Sequence, residues 1–174
     1  MKSVLIRKAT MSDLNEICRI YAEARAFMRE SGNHNQWTGG HPSRETAESD
    51  IRKGKSYVSM HGDGIAAVFY YAIETDPTYA KINGAWLNEE TYGVVHRIAR
   101  SRNVAVSSND GTESVSIGAF CLNWCLEQWG NLRIDTHEDN IPMRRLLEKL
   151  EFTYCGIIWL ENGDERMAFQ KIVC

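Results

Sequence analysis

The stretch Tyr92-Gly-Val-Val-His-Arg-Ile-Ala-Arg-Ser101 decides the fold, together with Ile117-Gly-Ala-Phe-Cys-Leu-Asn-Trp-Cys-Leu-Glu-Gln128 and Asn131-Leu-Arg-Ile-Asp-Thr136 behind it. The first piece is rich in Val and Ile and reads as a strand. The second places Ile117, Phe120, Cys121, Trp124 and Cys125 at helical spacing, with the small residues Gly118 and Ala119 in its first turn. The third alternates Leu132, Ile134 and Thr136 with Arg133, Asp135 and His137, the period of a half-buried strand. A polar loop, residues 102–114, joins strand to helix. A helix start presents free backbone N–H groups and the positive end of a macrodipole, which suits a phosphate or pyrophosphate. Ser114, Ser116, Ile117, Gly118 and Ala119 are therefore candidate contacts to such a group.

Working outward, residues 3–9 read as a first strand, and Thr10-Met-Ser-Asp13 offers caps for a helix carrying Leu14, Ile17, Cys18, Ile20, Tyr21 and Ala24. That helix ends near Gly32, a suitable C-terminal cap. Residues 34–40 form a polar loop holding one large aromatic, Trp37. A short helix follows Ser43 to about Lys53. Residues 55–61 and 64–73 read as antiparallel strands joined at His61-Gly-Asp-Gly64. A turn over 74–79 and a segment holding Trp86 lead to the strand near Thr91. After residue 136, Asp139 or Asn140 caps a helix with Pro142 in its first turn and Met143, Leu146, Leu147 and Leu150 on one face. Residues 152–160 and 165–172 are two final strands. The order β-α-α-β-β-β-α-β-α-β-β predicts an α/β fold, three-layer α/β/α with a mixed sheet, as a single domain over 1–174.

Composition narrows the function. Hydrophobic content of 43% and charged content of 25% are ordinary for a globular protein. A net charge of -3 gives no reason to expect nucleic acid. No apolar run approaches the ~20 residues that span a bilayer, and no signal-peptide pattern opens the chain, so no membrane association is expected. Five cysteines without a C-x-x-C argue against a disulfide framework and against zinc, so no metal is expected and the compartment is expected to be the cytoplasm.

This order, with the residues inside it, resembles the GCN5-related N-acetyltransferase (GNAT) family over nearly the whole chain. The opening Ile6-Arg-Lys-Ala-Thr-x-x-Asp-Leu14 is similar to that family's first strand and helix start. Val94-Val-His-Arg-Ile-Ala99 resembles its central strand. Leu132-Arg-Ile-Asp-Thr-His-x-Asp-Asn140, Leu146-Leu-x-Lys149 and Phe152 resemble its fifth strand and following helix. The resemblance implies a mostly antiparallel sheet with splayed central strands and acetyl-CoA as cosubstrate. It also implies backbone contacts to the pantetheine arm at Ile98 and Ala99, and a polar contact from Asn140. It places the Trp37 loop, and more weakly Tyr79, over the acceptor.

Four positions depart from the family. Its pyrophosphate loop has Arg or Gln, then Gly, then Gly or Ala; this chain has Glu113 and Ser116 at the first two, and Gly118 matches the last. Leu147 stands where many members carry a tyrosine acid, and Glu151 where a glycine is common. The implied activity is acetyl transfer to a primary amine of a small molecule or peptide. The alternative is a catalytically weak or inactive CoA-binding or interaction module, and an exposed aromatic surface on the last strands could pair two copies.

The amine sets the chemical demand. Deprotonating a lysine-like amine of pKa ~10.4 at pH 7 costs about 4.6 kcal/mol, and an α-amine about 1 kcal/mol. A general base is therefore wanted. Asp135 and His137, on one side of their strand, are the candidates, whereas mid-strand His96 reads as a packed, hydrogen-bonded residue.

Overall fold

The computed structural model describes residues 4–104 and 116–173. Strand β1 (Val4–Lys8) leads through a 3-10 turn (Met11–Asp13) into helix α1 (Leu14–Glu30), then α2 (Arg44–Arg52). Strands β2 (Ser56–His61), β3 (Gly64–Ile73), β4 (Asn83–Gly84) and β5 (Gly93–Arg100) follow. Helix α3 (Ile117–Gln128), β6 (Asn131–Thr136), α4 (Ile141–Lys149), β7 (Thr153–Trp159) and β8 (Glu165–Ile172) complete the order.

The helices begin where short polar side chains satisfy their free N–H groups. Asp13 accepts from the Thr10 backbone N–H at 2.8 Å, Ser43 from Thr46 at 3.1 Å, Ser116 from Ala119 at 3.1 Å and Asn140 from Met143 at 3.2 Å. Helix α1 stops at Gly32, whose φ of 88° turns the chain so that the Asn33 N–H reaches the Met28 carbonyl at 2.8 Å. Helix α4 stops the same way on a residue with a side chain, Glu151 at φ 58°.

The strands form one sheet in the order β1-β2-β3-β5-β6-β8-β7-β4. All neighbours are antiparallel except β5 and β6. Alternate residues of β3 feed opposite faces. Ala67, Phe69 and Tyr71 join Cys121, Leu122, Cys125 and Leu147 of α3 and α4 on one face. Val68 joins Leu14, Ile17 and Ile20 of α1 on the other. Tyr70 and Ala72 continue that second face into an aromatic cluster with Tyr79 and Tyr92. The sheet therefore has a helical layer on each side, as expected.

Strand β4 is the element that periodicity does not announce. It is two residues long and lies at the sheet edge against β7. Its existence depends on close backbone approach: a Cβ on Gly84 would lie 2.1 Å from the Cys155 carbonyl oxygen, and one on Gly156 2.1 Å from that of Asn83. No helix among the described residues is long and apolar enough to cross a membrane.

Candidate active site

The site begins with a break in the sheet. Strands β5 and β6 pair only at Gly93–Leu132, Val94–Arg133 and Val95–Ile134. Beyond Val95, β5 keeps its pairing to β3 but has no strand partner on its β6 side among the described residues. The cause is an extra residue in β5 at Arg97, whose φ is 52°; such a bulge bends the strand away from its neighbour. Arg97 is fastened there by Asp50 of α2, with two N–H groups 2.9 and 3.0 Å from its carboxylate. Its guanidinium also lies 4.7 Å from the centre of the Tyr70 ring.

On the α3/α4 side of the break lies a groove of about 390 Å³, floored by Ala67, Ile98, Ala99, Met143 and Leu146. Ser116, Ile117 and Gly118 form its end, and Arg100 and Arg102 stand at its rim. Arg102 is held by Glu30 at 2.7 Å. The Ser116 hydroxyl takes the Ala119 N–H, so the N–H groups of Ile117 and Gly118 are those the helix start offers to a ligand. The Gly118 position is tight: a Cβ there would lie 2.8 Å from Leu146 Cδ2.

On the other side of the break opens a polar cavity of about 630 Å³. Met28, Ile98, Asn140 and Met143 line both groove and cavity, so the two meet at those four residues. The cavity wall carries a hydrogen-bonded cluster. His96 Nε2 lies 2.7 Å from Asp76 Oδ2, and His96 Nδ1 lies 3.7 Å from Asp135 Oδ1. The Tyr79 hydroxyl donates to Asp135 at 2.6 Å. Asp76 also accepts from Thr78, N–H at 2.8 Å and hydroxyl at 2.7 Å.

Burial pushes the Asp76 carboxyl up, but the hydrogen bonds from His96 and Thr78 outweigh it and bring the pKa down to about 2. Asp76 is therefore an anion facing one ring nitrogen of His96. Burial first, then the Asp135 charge, raises the Tyr79 phenol well above its ordinary value, so it stays a donor. Tyr70 is raised by burial and by Glu74, which accepts its proton. Burial, with the arginines 97, 25 and 166 nearby, lowers the His41 pKa, which favours a neutral ring.

The residues singled out from sequence divide between these regions. Ile98, Ala99, Ser116, Ile117 and Gly118 come together at the groove, and Ala119 lies behind them, buried in the first turn. Ser114 and Glu113 lie outside the described residues. Asn140 stands at the junction, with its Nδ2 donating to Gln36 Oε1 at 2.9 Å. Trp37 lines the cavity, seated edge-on against Tyr21 with ring centres 5.6 Å apart. Tyr79 sits behind the wall, buried, bonded to Asp135 and with its ring centre 6.0 Å from that of His96.

Asp135 and His137 do not meet. Strand β6 ends at Thr136, so His137 leaves the strand's alternation. Its Nδ1 accepts the Asp139 N–H at 3.1 Å, and it lines a neighbouring pocket with Asn35 and Thr38. Leu147 is fully buried in the core and lines neither groove nor cavity, so a side chain in its place points away from the junction. Sequence reasoning read His96 as a packed, hydrogen-bonded residue, which the structure bears out, but missed Asp76 as its partner. The signal available was a carboxylate in a turn ahead of a strand histidine, and only the 20-residue return of the chain joins them.

No protein-family model matches the chain, and no curated protein does. Solved structures do. A GNAT-family acetyltransferase from Streptococcus agalactiae is 29% identical, with a TM-score of 0.84 over 98% of this chain and 96% of its own. The ribosomal-protein-S18-alanine N-acetyltransferase of Escherichia coli shares the fold at 15% identity and TM-score 0.60, covering 98% and 94%. An acetyltransferase of Salmonella typhimurium, solved with acetyl-CoA, does so at 13% identity and TM-score 0.58, covering 98% and 94%.

Proposed function

Since the chain belongs to the GCN5-related N-acetyltransferase family and is an acyltransferase of that type, we propose that it moves an acetyl group from acetyl-CoA to a primary amine of a small molecule or peptide. One observation carries this reading: a groove that ends on a helix start and a polar cavity meet at Met28, Ile98, Asn140 and Met143, beside a strand edge that is unpaired among the described residues.

The groove suits the donor on three counts. Its floor is apolar, as a pantetheine arm needs, and the open edge of β5 offers backbone partners to the arm's amides. The Ile117 and Gly118 N–H groups, with Arg100 and Arg102 at the rim, suit a pyrophosphate. Acetyl-CoA supplies a thioester whose thiol, of pKa about 8.5, leaves readily near neutral pH.

His96 accepts the amine proton, with Asp76 fixing the ring and Asp135 on its other side. In the transfer the amine nitrogen forms a bond to the acyl carbon and the carbon–sulfur bond breaks. One amine proton passes to the base, and the sulfur leaves with the electron pair. Asn140 and Gln36 hold the Trp37 loop over the cavity. The volume of the cavity lies in the ordinary range for small-molecule sites.

Thermal unfolding with acetyl-CoA, with free CoA and ADP as controls, tests the donor site. Ligand at ~100 times its dissociation constant adds about 2.7 kcal/mol and moves the midpoint by several degrees. An amine screen reading thiol release tests transfer. No shift at millimolar acetyl-CoA sinks the proposal and favours an interaction module.

A further inference from the structure

Burying a guanidinium is costly unless a partner compensates it. Three arginines of the sheet face inward, and their compensation differs. Arg97 has the Asp50 carboxylate. Arg133 has no carboxylate and its Nε is buried without a hydrogen-bond partner among the described residues, but it donates to the Asn88 carbonyl at 2.6 Å and lies between the rings of Trp86 and Tyr92, 4.3 and 4.0 Å from their centres. Arg166 of β8 is different. It is only 6% exposed, and its one hydrogen bond among the described residues is to the carbonyl of its neighbour Glu165, at 2.8 Å. No ion pair within 4 Å forms to it among the described residues. It lines the polar cavity and the pocket beside it. Asp135 and Asp164 act on it from farther off, and burial still outweighs them, lowering its pKa.

Arg166 also stands in register with the reacting cluster. Asp135 pairs across β6 and β8 with Ala168, and Arg166 lies two residues along β8 on the same face. The cavity carries both signs of charge: Glu74, Asp76, Asp135, Glu161 and Asp164 line it together with Arg97 and the buried guanidinium of Arg166.

From this we propose that Arg166 binds a carboxylate on the acceptor, so that the acceptor class is free amino acids. The ammonium end lies toward Asp135 and His96, and the carboxylate completes the guanidinium. The inference rests on the acetyl-transfer reading above and names its acceptor; the carboxylate takes no part in the bond changes. A zwitterion brings a carboxylate within hydrogen-bond reach of Arg166, whereas a simple amine leaves it with the Glu165 carbonyl as its one hydrogen-bond acceptor among the described residues.

The test is a set of matched acceptors given to the full chain with acetyl-CoA: amino acids, their carboxamides and their decarboxylated amines. Sites built to bind a polar group reject analogues lacking it strongly, so kcat/KM is expected to favour the acids by about 100-fold or more. Arg166→Met is expected to raise the amino-acid KM by at least about 30-fold, with kcat changed far less and the preference erased. Arg166→Lys, which keeps the charge, is expected to restore part of it. Carboxamides or plain amines used as well as the acids by the wild type overturn the proposal without touching the acetyltransferase reading. So does an equal loss of kcat on all three classes in Arg166→Met. If no amine is acetylated, titration calorimetry with amino acids in the presence of CoA still decides: binding lost in Arg166→Met supports the anchor, and no binding overturns it.

Discussion

His96 Nε2 and Asp76 Oδ2 lie 2.7 Å apart at the wall of the polar cavity. They lie 20 residues apart in the chain. Asp76 fixes the ring orientation, so the pair has the form of a base and its orienting carboxylate. His96→Gln is expected to lower kcat by about 10²–10⁴-fold while leaving the acetyl-CoA-induced rise in unfolding temperature intact. Asp76→Asn, which keeps a hydrogen-bond partner for the ring but removes its charge, should lower kcat by less. Steady-state kinetics beside thermal unfolding checks both, and an unchanged kcat in His96→Gln removes the histidine from the mechanism.

Asp76 shares a depressed pKa with Asp13, whose hydrogen bonds with Arg7, at 2.7 and 2.9 Å, and with Thr10 hold it at about 2 against the opposing effect of burial. The sign follows directly. Each folded-state value lies below the unfolded one of about 3.9, so each carboxylate stabilises the fold fully above that value. The contribution is lost as pH falls from about 4 toward 2. Unfolding free energy measured by urea titration should drop steeply across that window. Asp13→Asn should flatten the drop, and an unaltered slope in that variant counts against the assignment.

Helix α4 ends on Glu151, whose φ of 58° lies in the left-handed region, with its N–H on the Glu148 carbonyl at 2.9 Å. A residue with a Cβ is strained there, whereas glycine is not, though glycine costs more to order. Glu151→Gly should therefore stabilise the chain by about 0.5–1 kcal/mol, raising the midpoint by roughly 1–4 °C. Glu151→Ala should not. Equal stabilisation by both substitutions would mean that the glutamate side chain, and not the backbone, carries the cost.

These cases show what the sequence carried. Helix α3 was legible to its ends, Ile117 and Gln128, because apolar residues at helical spacing are a local signal, although its serine cap was not read as one. Asn140 was legible as a cap for the same reason, a local signal. Strand β4 was not, because Asn83–Gly84 is a strand only by virtue of Gly156 opposite. Alternation put His137 beside Asp135, but the rule lapses where β6 ends at Thr136. Asp76 and Arg166 escaped notice because nothing in their neighbours along the chain marks a carboxylate that meets a distant histidine or an arginine left without one.

Gly118 sits in the first turn of α3 with Leu146 Cδ2 2.8 Å from where its Cβ would be. The obstructing atom is the end of a flexible side chain, and alanine is the better helix former, so Gly118→Ala should change stability by less than about 1 kcal/mol. Gly118→Trp should fill the groove end and abolish the acetyl-CoA shift in unfolding temperature while the chain stays folded by far-UV circular dichroism. Retention of the full shift in Gly118→Trp would place the donor elsewhere.

Asn140 serves two partners: its Oδ1 caps α4 at the Met143 N–H, and its Nδ2 donates to Gln36 Oε1. Gln36 precedes Trp37 and is further held by Asn33, so this bond links the helix at the donor groove to the loop over the acceptor cavity. Asn140→Ala loses both and should cost about 1 kcal/mol or more. Asn140→Asp keeps a good cap but replaces the donor with a second acceptor facing Gln36. Its stability should therefore stay close to wild type, while the acceptor KM rises and the acetyl-CoA KM moves less. The separation of the two variants is the informative result. If Asn140→Asp matches wild type in both KM values, the residue is a cap alone, and the Trp37 loop is held by Arg29, whose guanidinium donates to the Gln36 and Trp37 carbonyls at 2.9 and 2.8 Å.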